Sequence, residues 1–486
     1  MNLKQRYLFS ALAALVLFVY YPAIFSPICL LDDGDLLINL TSRHYNLSAI
    51  FLPKAVGYYR PLLDLIYYVE DRVWMLEPSF LHLDNVIFHV VNVFLVYVVA
   101  LLISKLLYGR KSKGIAFSAA VLFALHPINT EPVDWISGRT DLLSGNFLLL
   151  SVFLLFKSLE RNSLRLLSIA AVSMFISCLA KETPLFAYPG FMFFIYVYDL
   201  HAGSNPAAGR NEVVIFGSVI EGLKTRLKFF LGSFKSRKYY YLIITMVPIA
   251  YFLLRKLAAT ASDGSVNRMV KSITSDGKGV SFSNIILESL KAMGFYLKKI
   301  FCPWPLNFDI AQVSDLYILL GFALVGLLVW LFWKQSLVSA LFVCSICIAS
   351  SAIFVALGRF AWTLYAERYM YIPSALFAIG TVCVINDLFR RHSFEKARFS
   401  FALLLLGILT ITTVQRNFIW MDEVKLYEDS VSKSPNFYRG WRNYVLALYR
   451  AGEYKKARDV KKIVLKLMNH KNNSELKGTF SSGIEK

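Results

Sequence analysis

Three carboxylates crowd the loop after the first apolar run: Asp32, Asp33 and Asp35, in Leu31-Asp32-Asp33-Gly34-Asp35. A positioned carboxylate can take the proton of an attacking hydroxyl, so this loop is the first candidate for a general base. Other ionisable residues come in short clusters between apolar stretches. The densest runs His126-Pro127-Ile128-Asn129-Thr130-Glu131-Pro132-Val133-Asp134-Trp135-Ile136-Ser137-Gly138-Arg139-Thr140-Asp141. Pro127 and Pro132 stop a helix there, and Gly138 allows a tight turn. Tyr58-Tyr59-Arg60-Pro61, Lys181-Glu182, Arg359 and Glu367-Arg368 supply further charges. Carboxylates facing cations suit transfer of a group away from a phosphate: the acid accepts the proton, and Arg and Lys steady the departing phosphate. For the acids, the bland reading is a solvated loop that ends a span. For Arg359, anchoring to a lipid headgroup accounts for the residue equally well.

No P-loop or GxGxxG occurs, so nucleotide binding has no support. Neither HExxH nor a nucleophile elbow is present. Asp32, Asp33, Asp35 and Glu131 could offer hard oxygen ligands to a divalent cation, but their spacing demands none, and no cofactor is required.

The elements that must carry these residues are apolar helices. Of 486 residues, 57% are hydrophobic and 17% charged, with a mean hydropathy of +0.53. That excludes an ordinary soluble domain. Stretches of about 20 apolar residues predict a helical membrane protein, and barrel-like alternation is absent. About eleven spans are expected, at 7–30, 81–107, 114–126, 141–157, 164–180, 184–200, 239–257, 316–333, 337–357, 366–388 and 398–415. The first reads as an uncleaved signal anchor. The stretch 284–301, with Glu288, Lys291, Lys298 and Lys299, reads as interfacial, and 35–79 as one or two surface helices.

The net charge is +20. The basic residues sit beside the spans, which points to topology and to anionic membrane lipid rather than nucleic acid. Lys4/Arg6, Lys105–Lys113, Lys157–Arg165, the basic loop 201–238, Lys334 and Arg390–Arg398 then share the cytoplasmic side. Every candidate site residue falls on the other side. Most of the six cysteines lie in apolar runs and read as packing residues, although Cys29 and Cys302 share a predicted face and could pair.

Span two carries His82, Asn85, His89 and Asn92 on one helix face. Interhelical hydrogen bonding explains His89 and Asn92 best, while His82 lies near enough to the outer end to reach a site. Near residue 418 the chain turns soluble and helical. Trp441, Tyr444, Leu448, Gly452, Tyr454 and Ala457 fit one tetratricopeptide-type helix pair, preceded by half a unit at Tyr427–Pro435. So short an array cannot bury a core alone and should pack on the membrane domain or on a protein partner. The expected division is a membrane domain, 1–416, whose first outer loop is 31–79, and a helical tail, 417–486.

Taken in order, Leu31-Asp32-Asp33, Tyr59-Arg60-Pro61-Leu62, His126-Pro127 with Glu131, Trp135-Ile136-Ser137-Gly138-Arg139 with Asp141-Leu142-Leu143, Lys181-Glu182, and Glu367-Arg368-Tyr369 with Tyr371 and Pro373-Ser374 resemble a known family. It is the transmembrane-and-tetratricopeptide-repeat O-mannosyltransferases and their bacterial relatives, of the GT-C glycosyltransferase class. The resemblance implies an all-α polytopic fold. It implies inverting transfer of a sugar from a polyprenyl-phosphate donor to a hydroxyl acceptor on a protein, glycan or lipid. It makes Asp32 or Asp33 the base and Arg139, Lys181 and Arg368 donor-phosphate contacts, with Arg60, His126, Glu131, Glu182, Arg359 and Glu367 as further substrate-site candidates. Barely one and a half repeats point to a bacterial member in the inner membrane with a periplasm-facing site, or to the endoplasmic reticulum if the chain is eukaryotic. A flippase for lipid-linked sugar, or a scaffold recruiting partners through the tail, are the rival readings.

Overall fold

The protein is described by a computed structural model that covers residues 3–29, 33, 47–51, 59–203, 219–259, 282–358, 363–392 and 395–471. Asp32, Asp35, Arg359 and the loop 260–281 lie outside the described residues. Helix α1 (Leu3–Tyr20) passes into a 3-10 turn at Tyr21–Phe25. There follow α2 (Pro61–Trp74), α3 (Pro78–Tyr108), α4 (Lys113–Leu125), the single turn α5 (Thr130–Asp134), α6 (Arg139–Arg161), α7 (Leu164–Ala180) and α8 (Ala187–Gly203). Next come α9 (Val219–Ser236), α10 (Lys238–Ala259), α11 (Phe282–Phe301), α12 (Tyr317–Lys334), α13 (Leu337–Ala349) and α14 (Ser351–Gly358). The membrane domain closes with α15 (Tyr371–His392) and α16 (Glu395–Trp420), and the tail holds α17 (Glu423–Lys433), α18 (Tyr438–Arg450) and α19 (Tyr454–Lys471). Among the described residues there is no strand, only an isolated bridge between Ile310 and Tyr365.

The chain is a polytopic all-α membrane protein. Among the described residues, eight segments are long and apolar enough to cross a bilayer: α1, α3, α6, α10, α12, the α13–α14 pair, α15 and α16. Helices α4 and α7 are apolar but shorter. With its 13 residues, α4 reaches only ~20 Å, less than a ~30 Å hydrocarbon core. Its path is completed by the irregular segment 126–138, in which all but Ser137 are buried by protein. Non-helical backbone at that depth is tolerable only where protein satisfies it. Asn129 Nδ2 accordingly donates to the carbonyl of Phe123 at 2.7 Å, and Thr130 Oγ1 to that of Pro127 at 2.8 Å.

Small residues set the tightest crossings. A Cβ on Gly294 would stand 1.8 Å from the Tyr317 carbonyl oxygen, and one on Gly321 2.1 Å from that of Leu290. Helices α11 and α12 therefore meet backbone to backbone, so the amphipathic α11 expected at the interface is clamped to a span. Gly190 does the same for α8 against Cys344 of α13, 2.6 Å from its Cα.

The polar face of α3 is fully buried. His89 Nδ1 lies 2.8 Å from the Tyr371 hydroxyl. Asn92 Nδ2 donates to the Leu142 carbonyl at 2.9 Å and to the Tyr371 hydroxyl at 3.0 Å. These are interhelical hydrogen bonds tying α3, α6 and α15 together. The basic loop expected at 201–238 contains a helix instead: α9 fills 219–236, because apolar residues at helical spacing interrupt its lysines. No disulfide joins Cys29 and Cys302: Cys29 is buried with its Sγ 3.4 Å from the Tyr427 hydroxyl, while Cys302 is exposed.

The tail packs on the membrane domain. Leu426, Tyr427, Val431, Tyr444 and Leu448 share one core with Cys29, Trp135, Phe308 and Trp420. Polar contacts fix the docking: Arg416 donates to Asp429 at 2.6 Å, Lys433 to the Leu306 carbonyl at 2.7 Å, and Asn307 to the Ser434 hydroxyl at 2.8 Å.

Candidate active site

Segment 126–141 is the hub to which the other candidate residues are fastened. It receives the C-terminal ends of α1, α4, α7 and α16 and the N-terminal ends of α3, α6 and α15. Tyr20 donates to the Ala124 carbonyl at 3.3 Å, Thr413 to that of Leu125 at 2.8 Å, and Ser374 to Asn129 Oδ1 at 3.2 Å. All these groups thus gather at one end of the bundle.

Asp33 is buried against this hub. Its Oδ1 accepts from the Ser137 amide at 2.9 Å and from the Ser137 hydroxyl, and its Oδ2 accepts from the Cys29 amide at 3.3 Å. The first outer loop is therefore pinned to the turn just before Arg139. A carboxylate held by several donors has a fixed orientation, which is what a general base needs.

Arg139 is fully buried and committed. Its guanidinium pairs with Glu70, donates from Nε to Asn85 Oδ1 at 2.8 Å and from Nη2 to the Leu81 carbonyl at 2.6 Å, and lies 4.8 Å from the Tyr67 ring. Glu70 comes from α2, where Asp64, Tyr67 and Glu70, spaced by three, form the buried face. Burial pushes the Glu70 carboxyl up, and the arginine opposes it. Arg139 thus holds α2, α3 and α6 together.

Three other ion pairs ring the hub. Arg368 pairs with Glu131, whose Oε2 also accepts the Arg368 amide at 3.0 Å; the guanidinium lies 5.0 Å from the Trp135 ring. Burial raises the Glu131 carboxyl against the pull of Arg368. Lys181 Nζ contacts both oxygens of Asp141, at 2.6 and 2.7 Å, and lies 5.2 Å from the Tyr369 ring. Burial lowers its ammonium, with Asp141 opposing. Lys299 Nζ contacts Glu367 at 2.5 Å, and the same carboxylate oxygen accepts the Asn307 amide at 3.0 Å.

The fifth pair is the most open. Arg60 meets Glu182 at 3.0 Å, with side chains 18% and 31% exposed. Burial would raise the Glu182 carboxyl, but Arg60 and Arg255 outweigh it and hold it below the usual range. A second arginine, from the end of α10, thus faces this pair. Arg60 also lies near Lys181, as does Arg368. Arg60, Lys181, Arg255 and Arg368 make the cationic wall beside the hub.

His126 Nε2 lies 3.1 Å from the Ile300 carbonyl, which ties the end of α4 to α11. His82 packs beside the backbone of Ser26, Pro27 and Asp134. Among the described residues no three His, Cys, Asp or Glu side chains are arranged to hold a metal ion. Of the candidate oxygen donors, Glu131 is engaged by Arg368 and Asp33 by Ser137, while Asp32 and Asp35 lie outside the described residues.

Sequence reading did not single out Glu70, Arg255, Asp309 or Arg416, and it named Asp141 and Lys299 without giving either a partner. The spacing of Asp64, Tyr67 and Glu70 could have flagged α2. Asp309 and Arg416 carried no signal, since each gains its meaning from the docked tail.

No family model matches the chain. It is 25% identical over 418 residues to the human protein O-mannosyl-transferase TMTC3, covering 82% of this chain and 43% of that protein. It is 29% identical over 160 residues to protein O-mannosyl-transferase F38B6.6 of Caenorhabditis elegans, covering 33% and 22% of the two chains. Against human protein O-mannosyl-transferase TMTC1 it is 32% identical over 158 residues, covering 30% and 17%. The chain thus spans less than half the length of the relatives it matches. A crystal structure of the Archaeoglobus fulgidus oligosaccharyltransferase covers 86% of this chain and 55% of its own, at 13% identity and a TM-score of 0.39, too low to carry an argument. In sequence, this chain is similar to proteins named protein O-mannosyl-transferases, in one case over 82% of its own length.

Proposed function

We propose that the protein is an inverting glycosyltransferase that moves a sugar from a polyprenyl-phosphate carrier to a hydroxyl acceptor at the non-cytoplasmic membrane surface. The carrying observation is the fastening of Asp33 to Ser137, within the same hub that binds Glu131–Arg368 and Asp141–Lys181. The relatives named as protein O-mannosyl-transferases support the reaction class. In the proposed step the acceptor oxygen forms a bond to the anomeric carbon. The bond from that carbon to the phosphate oxygen breaks, and the lipid phosphate keeps the electron pair. Asp33 takes the hydroxyl proton. Arg60 and Arg255 are the most accessible cations for the phosphate, with Lys181 and Arg368 behind them. Asp32 stands as the alternative base, and the tail 417–486 as a repeat-like platform for the acceptor or a protein partner. The basic turns opposite the hub favour its lying on the periplasmic or lumenal side.

The test supplies purified protein in lipid with sugar-labelled polyprenyl-phosphate mannose and serine- or threonine-containing peptides. The expected result is labelled peptide with inverted anomeric configuration and released polyprenyl phosphate. Movement of intact carrier between leaflets, without bond cleavage, would contradict it.

A further inference from the structure

Helix α9 sits at the far end of the bundle from the candidate site. Ser233 Oγ donates to Asp199 Oδ2 at 2.7 Å, and Arg237 donates to Asp199 Oδ1 at 3.0 Å and to Asn162 Oδ1 at 2.6 Å. Asp199 lies in the last turns of α8 and Asn162 follows α6, whose opposite end carries Arg139. Arg226 donates to the Trp333 carbonyl at 2.8 Å, with its guanidinium 4.2 Å from the Trp333 ring. Helix α9 is therefore strapped across the ends of α6, α8 and α12.

Away from the strapped side, Phe230 meets the Tyr196 ring edge-on at 5.7 Å between centroids and Phe234 packs on the Tyr241 ring at 5.2 Å, yet the apolar side chains here stay largely open. Leu227, Phe230, Leu231 and Phe234 are 41–58% exposed. Their spacing of three, one and three aligns them in one stripe. Lys224, Lys228 and Lys235, four and seven residues apart and all exposed, line the edge of the stripe away from the strapped side. Trp330 and Trp333, exposed in the last turns of α12, stand at the same level. Tryptophans at a span end mark the membrane–water interface. The stripe is thus continuous with the lipid-facing surface of α12, and the lysine row lies at headgroup depth.

We infer that α9 is an interfacial helix that binds anionic phospholipid headgroups in the leaflet opposite the candidate site. The apolar stripe enters the acyl boundary, and Lys224, Lys228 and Lys235 contact phosphate. Apolar burial alone would accept any lipid; the lysine row adds preference for negative charge.

The test places the full-length protein in nanodiscs of phosphatidylcholine alone, or of equal parts phosphatidylcholine and phosphatidylglycerol. Hydrogen exchange is followed in peptides from 219–236. The expected result is exchange slowed about tenfold more by the anionic discs. High salt should erase the difference in the unaltered protein, and the Lys224→Gln/Lys228→Gln/Lys235→Gln variant should lack it. Equal exchange in both discs, or a difference that survives neutralisation of the three lysines, would overturn the inference.

Discussion

The carboxylate of Asp33 accepts both the amide and the hydroxyl of Ser137, a residue 104 positions away in sequence. The loop that follows the first span is thereby held against the turn that starts α6. If Asp33 is the base, its aim depends on that hydroxyl. Ser137→Ala should lower the rate of transfer by about 10–100-fold, the effect of losing one hydrogen bond to a charged group. The amide contact remains, so the fold should persist. Steady-state kinetics beside a thermal melt would check this; an unchanged rate would separate Ser137 from the chemistry.

Arg139 should behave as a structural residue. Arg139→Ala leaves Glu70 buried beside Asn85 without its partner. Breaking such a pair costs about 3–5 kcal/mol. The expected outcome is a large fall in melting temperature in detergent, with KM for the lipid donor unchanged in whatever protein folds. A raised donor KM at normal stability would instead place Arg139 on the substrate.

Arg60 should act the other way. Its pair with Glu182 is the most open of the five, and Arg255 faces the same acid. Arg60→Ala should raise the donor KM by about 10-fold with little loss of stability, since half-exposed pairs contribute ~1 kcal/mol or less to folding. Combining it with Arg255→Ala should raise KM further. Donor titrations of the two variants would show it.

Tail docking should depend on pH through Asp309. Its buried side chain lies beneath α18, where a Cβ on Gly440 would stand 2.9 Å from Oδ2. Burial and the negative charge of Glu131 push its carboxyl up to about 7, with Arg416 and Arg368 pulling the other way. Its ordinary value is 3.8. The docked form keeps a proton that an undocked tail would release between those values, so docking is strongest at the acid end of that window. It weakens by ~1.4 kcal/mol per pH unit on the way up and levels off above about 7. Asp309→Asn should flatten the profile and slow opening at neutral pH. Hydrogen exchange in α17 and α18, corrected for intrinsic rates, would measure both.

Much of this was legible before any coordinates. Pro127, Pro132 and Gly138 announced an irregular outer segment, and a Cβ on Gly138 would indeed stand 2.6 Å from the Pro132 carbonyl oxygen. The three–four–three spacing from His82 to Asn92 announced a buried polar face, because helix periodicity is a local property. Which charge pairs with which was not legible. Glu131 finds Arg368 from 237 residues away, and Arg416 finds Asp429 only because the tail folds back. That Arg139 is buried and paired with Glu70 was not legible either, since sequence reports charge but not burial. The expected span 114–126 is a helix of 13 residues followed by packed irregular backbone, which sequence periodicity does not report.

The central claim is that Asp33 removes the acceptor proton as sugar leaves a lipid phosphate. Single-turnover transfer from labelled polyprenyl-phosphate sugar, by the unaltered protein and by Asp33→Asn at matched folding, tests it most directly. The account predicts at least about a 10²-fold slower chemical step in the variant with donor binding retained. Transfer at the unaltered rate by Asp33→Asn would contradict it.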